Sequence, residues 1–152
     1  MNCYFDTSAL AKLFLEKEDG VETVTKLVND PANIVWVLEL ARIEFHSALY
    51  RRYRTGELND TAMQIALGGF DEQFRMFRIE PMTSALVNEA NALLQRYGKK
   101  EGLRTLDALQ LGGFSLIAEK DNWCFVCADH TLCRIADLAG YVVINPIAQR
   151  DN

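Results

Sequence analysis

The sequence predicts an α/β protein built around a mostly parallel sheet, and three observations carry that reading. Short apolar runs alternate along the chain with longer segments of helical period, the pattern of strands joined by crossover helices. The first run, NCYFD (2–6), reads as a strand buried on both faces and passes directly into a helical segment. Finally, 152 residues, nearly half of them apolar, can bury roughly two thirds of the unfolded surface without disulfides or a structural metal. A single domain over 1–152 is expected.

The elements follow in order. SALAKLFLEK opens a first helix after NCYFD, and a second covers 20–29, stopping before Pro31. NIVWV (33–37) is the next strand, followed by a long helix to about Thr55, with Gly56 as its stop. Residues 60–75 are helical, FRIEP (77–81) is a short strand, and 83–97 form a helix closed by Gly98. A helix over 104–119, a strand at CFVCA (124–128), a helix over 130–139 capped by Gly140 and a last strand at YVVIN (141–145) complete the chain. Gly112 and Gly113 inside the 104–119 helix weaken it by roughly 1 kcal/mol each, and a close helix contact would explain them.

Composition narrows the function. No signal-like or membrane-spanning apolar segment is found, so a cytoplasmic protein is expected. Cys3, Cys124, Cys127 and Cys133 lie in or beside apolar segments, as buried thiols of a reducing compartment do. CFVCADHTLC invites a zinc reading, but Cys124 and Cys127 are three apart on a strand and point to opposite faces. The net charge of −5, from 21 acids and 16 bases, gives no long-range attraction to nucleic acid and favours a basic partner. The bases cluster locally: Arg51, Arg52 and Arg54 end the long helix, and Arg96, Lys99, Lys100 and Arg104 surround a loop.

Four carboxylates stand in unusual places. Asp107 lies in line with Leu103, Leu111, Phe114 and Ala118 on an apolar helical stripe, and Glu44 sits between Ala41 and Ala48 on another. An ionised acid on a buried face needs a hydrogen bond, a cation or a metal. Pairing of Asp107 with Arg104, three residues earlier, is the plainest answer. Asp6 and Asp129 end strands, where either serves as a helix N-cap. The same place is the crevice outside the strand C-termini in which parallel sheets bind ligands. If all four converge, bound cations or shared protons must relieve their repulsion, and oxygen-only ligation suits Mg²⁺ or Mn²⁺. Such ions typically serve phosphate chemistry.

YFDTSALAKLFLEKE, ARIEFHSAL, LRTLDALQLG and CFVCADHTLCRIADLAG resemble, in order and spacing, the signature segments of the PIN-domain nucleases, most closely the VapC toxins of type II toxin–antitoxin modules. The resemblance spans nearly the whole chain. It implies a three-layer α/β/α fold with a central, mostly parallel sheet of about five strands, and a metal-dependent endoribonuclease. On this sequence Asp6, Glu44, Asp107 and Asp129 match the family's four acids, and Ser8 its small hydroxyl near the metal. Thr7 stands beside Asp6 in the same segment. The resemblance further implies that Asp6 and Asp107 ligate Mg²⁺ directly (Mn²⁺ possible) and that Glu44 and Asp129 hold metal-bound water. It also implies an RNA substrate, a small VapB-like antitoxin and a homodimer. Gln110 stands where many relatives carry His, and Cys127 where Thr is common.

Other readings are weaker. A haloacid-dehalogenase-type phosphatase requires an aspartate where this chain has Ser8, and a receiver domain requires a lysine after the last strand, which YVVINPIAQ lacks. The alternative from another class is a non-catalytic PIN scaffold that binds RNA or protein; the presence of all four acids argues against it. His46 and His130 are given no role.

Overall fold

The computed structural model describes residues 1–15, 19–119 and 121–147. Five strands form one sheet: β1 (Asn2–Phe5), β2 (Ile34–Leu38), β3 (Arg78–Glu80), β4 (Trp123–Val126) and β5 (Val143–Ile144). Their order is β3-β2-β1-β4-β5, and every pairing is parallel. The chain builds outward from β1 in one direction through β2 and β3, then resumes on the other side with β4 and β5. The connections therefore diverge between β1 and β4, and a crevice opens at the carboxyl ends of those two strands.

Alternation along each strand sends side chains into two separate cores. Cys3, Phe5, Val35, Val37, Cys124 and Val126 pack on one face against α1 (Thr7–Leu10), α2 (Val21–Asn29), α3 (Leu40–Arg54) and α4 (Asp60–Phe74). Phe45 and Phe70 stack at 4.0 Å between ring centres within that layer, joining α3 to α4. Tyr4, Leu38, Phe125 and Cys127 pack on the other face against α5 (Ser84–Leu93), α7 (Thr105–Ile117) and α8 (His130–Leu138). Helices, sheet and helices make the expected three layers. Cys124 and Cys127 do fall on opposite faces, so they cannot share an ion.

Two helices differ from expectation. The first is only one α-turn, α1, continued by a tighter 3₁₀ turn over Ala11–Leu13; its expected extension through Glu16 and Lys17 lies outside the described residues. The helix expected over 83–97 is α-helical only to Leu93, then widens into a π-type turn over Leu94–Gly98 before the three-residue α6 (Lys99–Glu101). Gly102, at φ 78°, then reverses the chain into α7. That left-handed backbone is open to glycine without steric cost. Tyr97 and Leu103 flank the reversal and are buried in the second core.

Gly112 and Gly113 have the explanation their positions invited. A Cβ on Gly112 would sit 3.2 Å from Leu86 Cδ1 and 3.3 Å from the Ala90 nitrogen, so glycine lets α7 pack closely on α5. A Cβ on Gly113 would collide with the Tyr4 hydroxyl and lie 3.1 Å from Leu38 Cδ1, so glycine also seats α7 on the sheet. What the helix loses in propensity it regains in packing depth. The approach of α7 to the sheet also sets where its polar residues Asp107 and Gln110 arrive.

Candidate functional site

The site stands at the carboxyl ends of β1 and β4, where the two helical layers meet over the sheet edge. Asp6 follows β1 and is 6% exposed. Its Oδ2 accepts the Ser8 amide at 2.9 Å and the Ser8 hydroxyl, with the Cys127 thiol at 3.7 Å. The first of these bonds caps α1. Ser8 Oγ in turn accepts the Ala128 amide at 3.0 Å, and the Asp6 amide donates to the Val126 carbonyl at 2.9 Å. The loops after β1 and β4 are thereby tied together.

Glu44 enters from α3 in one layer, and Gln110 from α7 in the other. Glu44 Oε2 accepts Thr7 Oγ1 at 2.5 Å and Gln110 Nε2 at 2.6 Å; the same amide lies 2.9 Å from Thr7 Oγ1. Three elements distant in sequence thus close a polar clasp across the sheet edge. Gln110 is buried, and its Oε1 has no partner among the described residues.

Burial raises the proton affinity of both inner acids. For Asp6, desolvation is the largest cause; its two bonds from Ser8 pull the other way, and the negative charge of Asp107 pushes it up again. For Glu44, desolvation again leads, opposed by Thr7 and Gln110 and reinforced by Asp6 and Asp107. Asp6, Glu44 and Asp107 therefore lie within electrostatic reach of one another.

Asp107 and Asp129 occupy the rim. Asp107 Oδ2 accepts Arg104 Nε at 3.1 Å, and Asp129 Oδ2 lies 3.9 Å from Arg104 Nη2. Asp129 Oδ1 caps α8 by accepting the Leu132 amide at 2.8 Å. The plain readings hold for three of the acids: Asp107 does pair with Arg104, and Asp6 and Asp129 do cap helices. None of this separates Asp107 from Asp6 and Glu44.

Two site residues had drawn only passing attention. Gln110 was marked only as a departure from the family pattern, though it lies three residues after Asp107 on the same helical face, which is the signal that places it here. Arg104 was a simple counter-ion for one acid, and it reaches two. His46 packs near Phe70, with ring centres 6.2 Å apart, and His130 is exposed.

An all-parallel five-stranded α/β sheet, with Asp6 and Asp129 following its adjacent strands β1 and β4 and Glu44 and Asp107 on the helices beside them, defines the class of fold. Residues 3–136 match the PIN domain family, and the chain belongs to it. No curated protein matches the chain significantly in sequence. Among solved structures it is similar to VapC20 of Mycobacterium tuberculosis, described as a sarcin-ricin loop cleaving toxin. That match has 21% identity over 95% of this chain and 99% of that one, with a TM-score of 0.68. It is similar to FitAcB of Neisseria gonorrhoeae at 14% identity, covering 97% and 99% of the two chains, TM-score 0.67. VapBC2 of Rickettsia felis, solved bound to a promoter DNA fragment, matches at 13% identity over 95% and 98%, TM-score 0.65. At these identities the likeness is one of fold.

Proposed function

We propose that the chain is a Mg²⁺- or Mn²⁺-dependent endoribonuclease and the toxin of a VapBC-type toxin–antitoxin module. The observation that carries the proposal is the hydrogen-bonded clasp of Glu44, Thr7 and Gln110 beside Asp6 and Ser8 at the carboxyl end of β1 in a PIN domain, with the charge of Asp107 bearing on both inner acids. Concentrated negative charge costs stability, and a cation-dependent reaction gives it a use.

The residues fit a hard cation in their chemistry: the donors are carboxylate oxygens, with hydroxyls and an unpartnered amide oxygen beside them. Among the described residues no three His, Cys, Asp or Glu side chains are gathered closely enough to form a finished cage. Asp6 and Asp107 would hold the ion, with Glu44 and Asp129 orienting water around it. When bound, the ion lowers the barrier by polarising phosphate and water and by neutralising developing charge. Thr7 and Gln110 hold Glu44 with its carboxylate turned into the crevice, and Ser8 holds Asp6. Water attacks phosphorus as the P–O3′ bond breaks, leaving a 5′-phosphate and a 3′-hydroxyl; one carboxylate takes the proton from water.

The charge of −5 suits a basic partner segment, and the likeness to VapBC and Fit proteins supports a VapB-like antitoxin. A homodimer and a cytoplasmic setting belong to the same reading; among the described residues no helix is long and apolar enough to cross a membrane.

One observation favours a second reading, a PIN scaffold that binds RNA or protein without cutting: Arg104 already neutralises two of the acids. The test is incubation of purified, antitoxin-free protein with total cellular RNA and Mg²⁺, with and without chelator. Cleavage that requires the divalent ion and falls on the order of 10²–10⁴-fold in Asp6→Asn and Asp107→Asn is expected. Absence of any cleavage leaves the scaffold; undiminished cleavage in Asp107→Asn removes the proposed site.

A further inference from the structure

Arg104 stands at the crevice with no task in the nuclease reading. It precedes α7 in extended backbone, at φ −104° and ψ 167°, so its side chain leaves the chain ahead of the helix and turns back over the first turn. Although about three quarters exposed, the guanidinium meets both rim acids, with Nε 3.1 Å from Asp107 and Nη2 3.9 Å from Asp129. Those acids come from different elements, α7 and the turn into α8.

We propose that Arg104 is an exchangeable counter-ion and a substrate-positioning residue: it neutralises Asp107 and Asp129 before a divalent cation enters, and afterwards turns to a phosphate of the RNA. This inference rests on the nuclease reading of the same crevice. Two facts make the exchange cheap. The side chain is exposed, so it leaves the acids without desolvation, and exposed ion pairs are weak. The planar fork that one carboxylate engages through Nε is the shape that binds phosphate oxygens in pairs. Were Asp107 and Asp129 to hold a cation and its water, the Arg104 guanidinium would remain beside them, free to take a phosphate oxygen.

The experiment measures two binding equilibria in the full chain. Mn²⁺ affinity is read by electron paramagnetic resonance of the free ion. Affinity for a mixed-sequence single-stranded RNA is read by fluorescence anisotropy in Ca²⁺, which suppresses cleavage. In Arg104→Gln, Mn²⁺ binding tightens by about two- to fivefold, while RNA binding weakens by about fivefold or more. Arg104→Lys, which keeps the charge and loses the fork, leaves Mn²⁺ affinity near that of the native chain and recovers only part of the RNA affinity. Lys100→Ala, an exposed cation outside the acid contacts, leaves Mn²⁺ affinity unchanged. A merely structural role would shift both equilibria in one direction or neither. Mn²⁺ binding that is unchanged or weaker in Arg104→Gln overturns the proposal, as does unchanged RNA binding or failure of both chains to take up Mn²⁺. If Arg104→Gln shows the opposed shifts but the native chain cuts no RNA, the nuclease reading fails and only the exchange of Arg104 between the acids and a phosphate is retained.

Discussion

The four acids divide into an inner and an outer pair held by different physics. Asp6 and Glu44 are partly or wholly removed from water and are fixed by short bonds from neutral donors: a serine, a threonine and a glutamine. Asp107 and Asp129 are partly exposed and share one exposed cation, Arg104. Neutral donors fix a carboxylate's position without cancelling its charge, whereas a cation cancels the charge through a contact that is easily exchanged. The inner pair is thus a preorganised source of negative potential, and the outer pair an adjustable one.

Several variants break or sharpen that contrast. The largest effect is the loss of cleavage expected on neutralising Asp6 or Asp107, since each change removes charge from the crevice. Next is Gln110→Ala, which strips a donor from Glu44 and from Thr7 together. Steady-state cleavage should fall about 10–100-fold. Its acid limb should move to higher pH, because the lost bond favoured the ionised form of Glu44. Gln110→His, which retains a ring N–H, should recover much of the loss. An unmoved acid limb in Gln110→Ala would mean that the clasp does not govern Glu44.

A smaller effect lies in the pH dependence of folding without divalent ions. Asp6 and Glu44 bind protons more tightly in the folded chain than at their ordinary values of 3.8 and 4.5. Their contribution to stability is therefore complete below those values and is lost as pH rises through the raised folded ones. Urea midpoints of the native chain should fall relative to Asp6→Asn/Glu44→Gln as pH climbs through that window. Parallel curves would show that the inner acids carry no such strain.

The smallest effect separates the two caps. Asp129→Ala should cost about 1 kcal/mol in denaturant unfolding at neutral pH through loss of the bond to the Leu132 amide. Asp6→Ala should cost less. It loses a similar cap but also removes a buried charge that faces Asp107. Equal costs would mean that Asp6 bears no burial penalty.

Much of this architecture was legible in the chain. The apolar runs placed all five strands within a few residues, because a strand covered on both faces leaves little freedom in residue type. The first helix was read too long: SALAKLFLEK has helical residues throughout, yet the chain tightens after Leu10. The π-type turn after Leu93 was equally hidden; it accompanies the burial of Tyr97 and Leu103 among residues far away in sequence, which local periodicity does not reveal. Asp107 and Glu44 stood out because an acid on an apolar stripe conflicts with its neighbours. Gln110 did not stand out, because a neutral amide on a helix raises no such conflict until its partner on another layer is known.

By itself the sequence determined the alternation of strands and helices, the two acids on apolar stripes and the two at strand ends. These depend on local periodicity and on the chemistry of single side chains. Only the tertiary structure decided that Gln110 reaches across the sheet edge to Glu44, that Asp107 acts on Asp6 and that one arginine spans two acids. Those relations are set by how deeply α7 settles on α5 and β1, a depth that Gly112 and Gly113 permit and that packing between distant segments fixes.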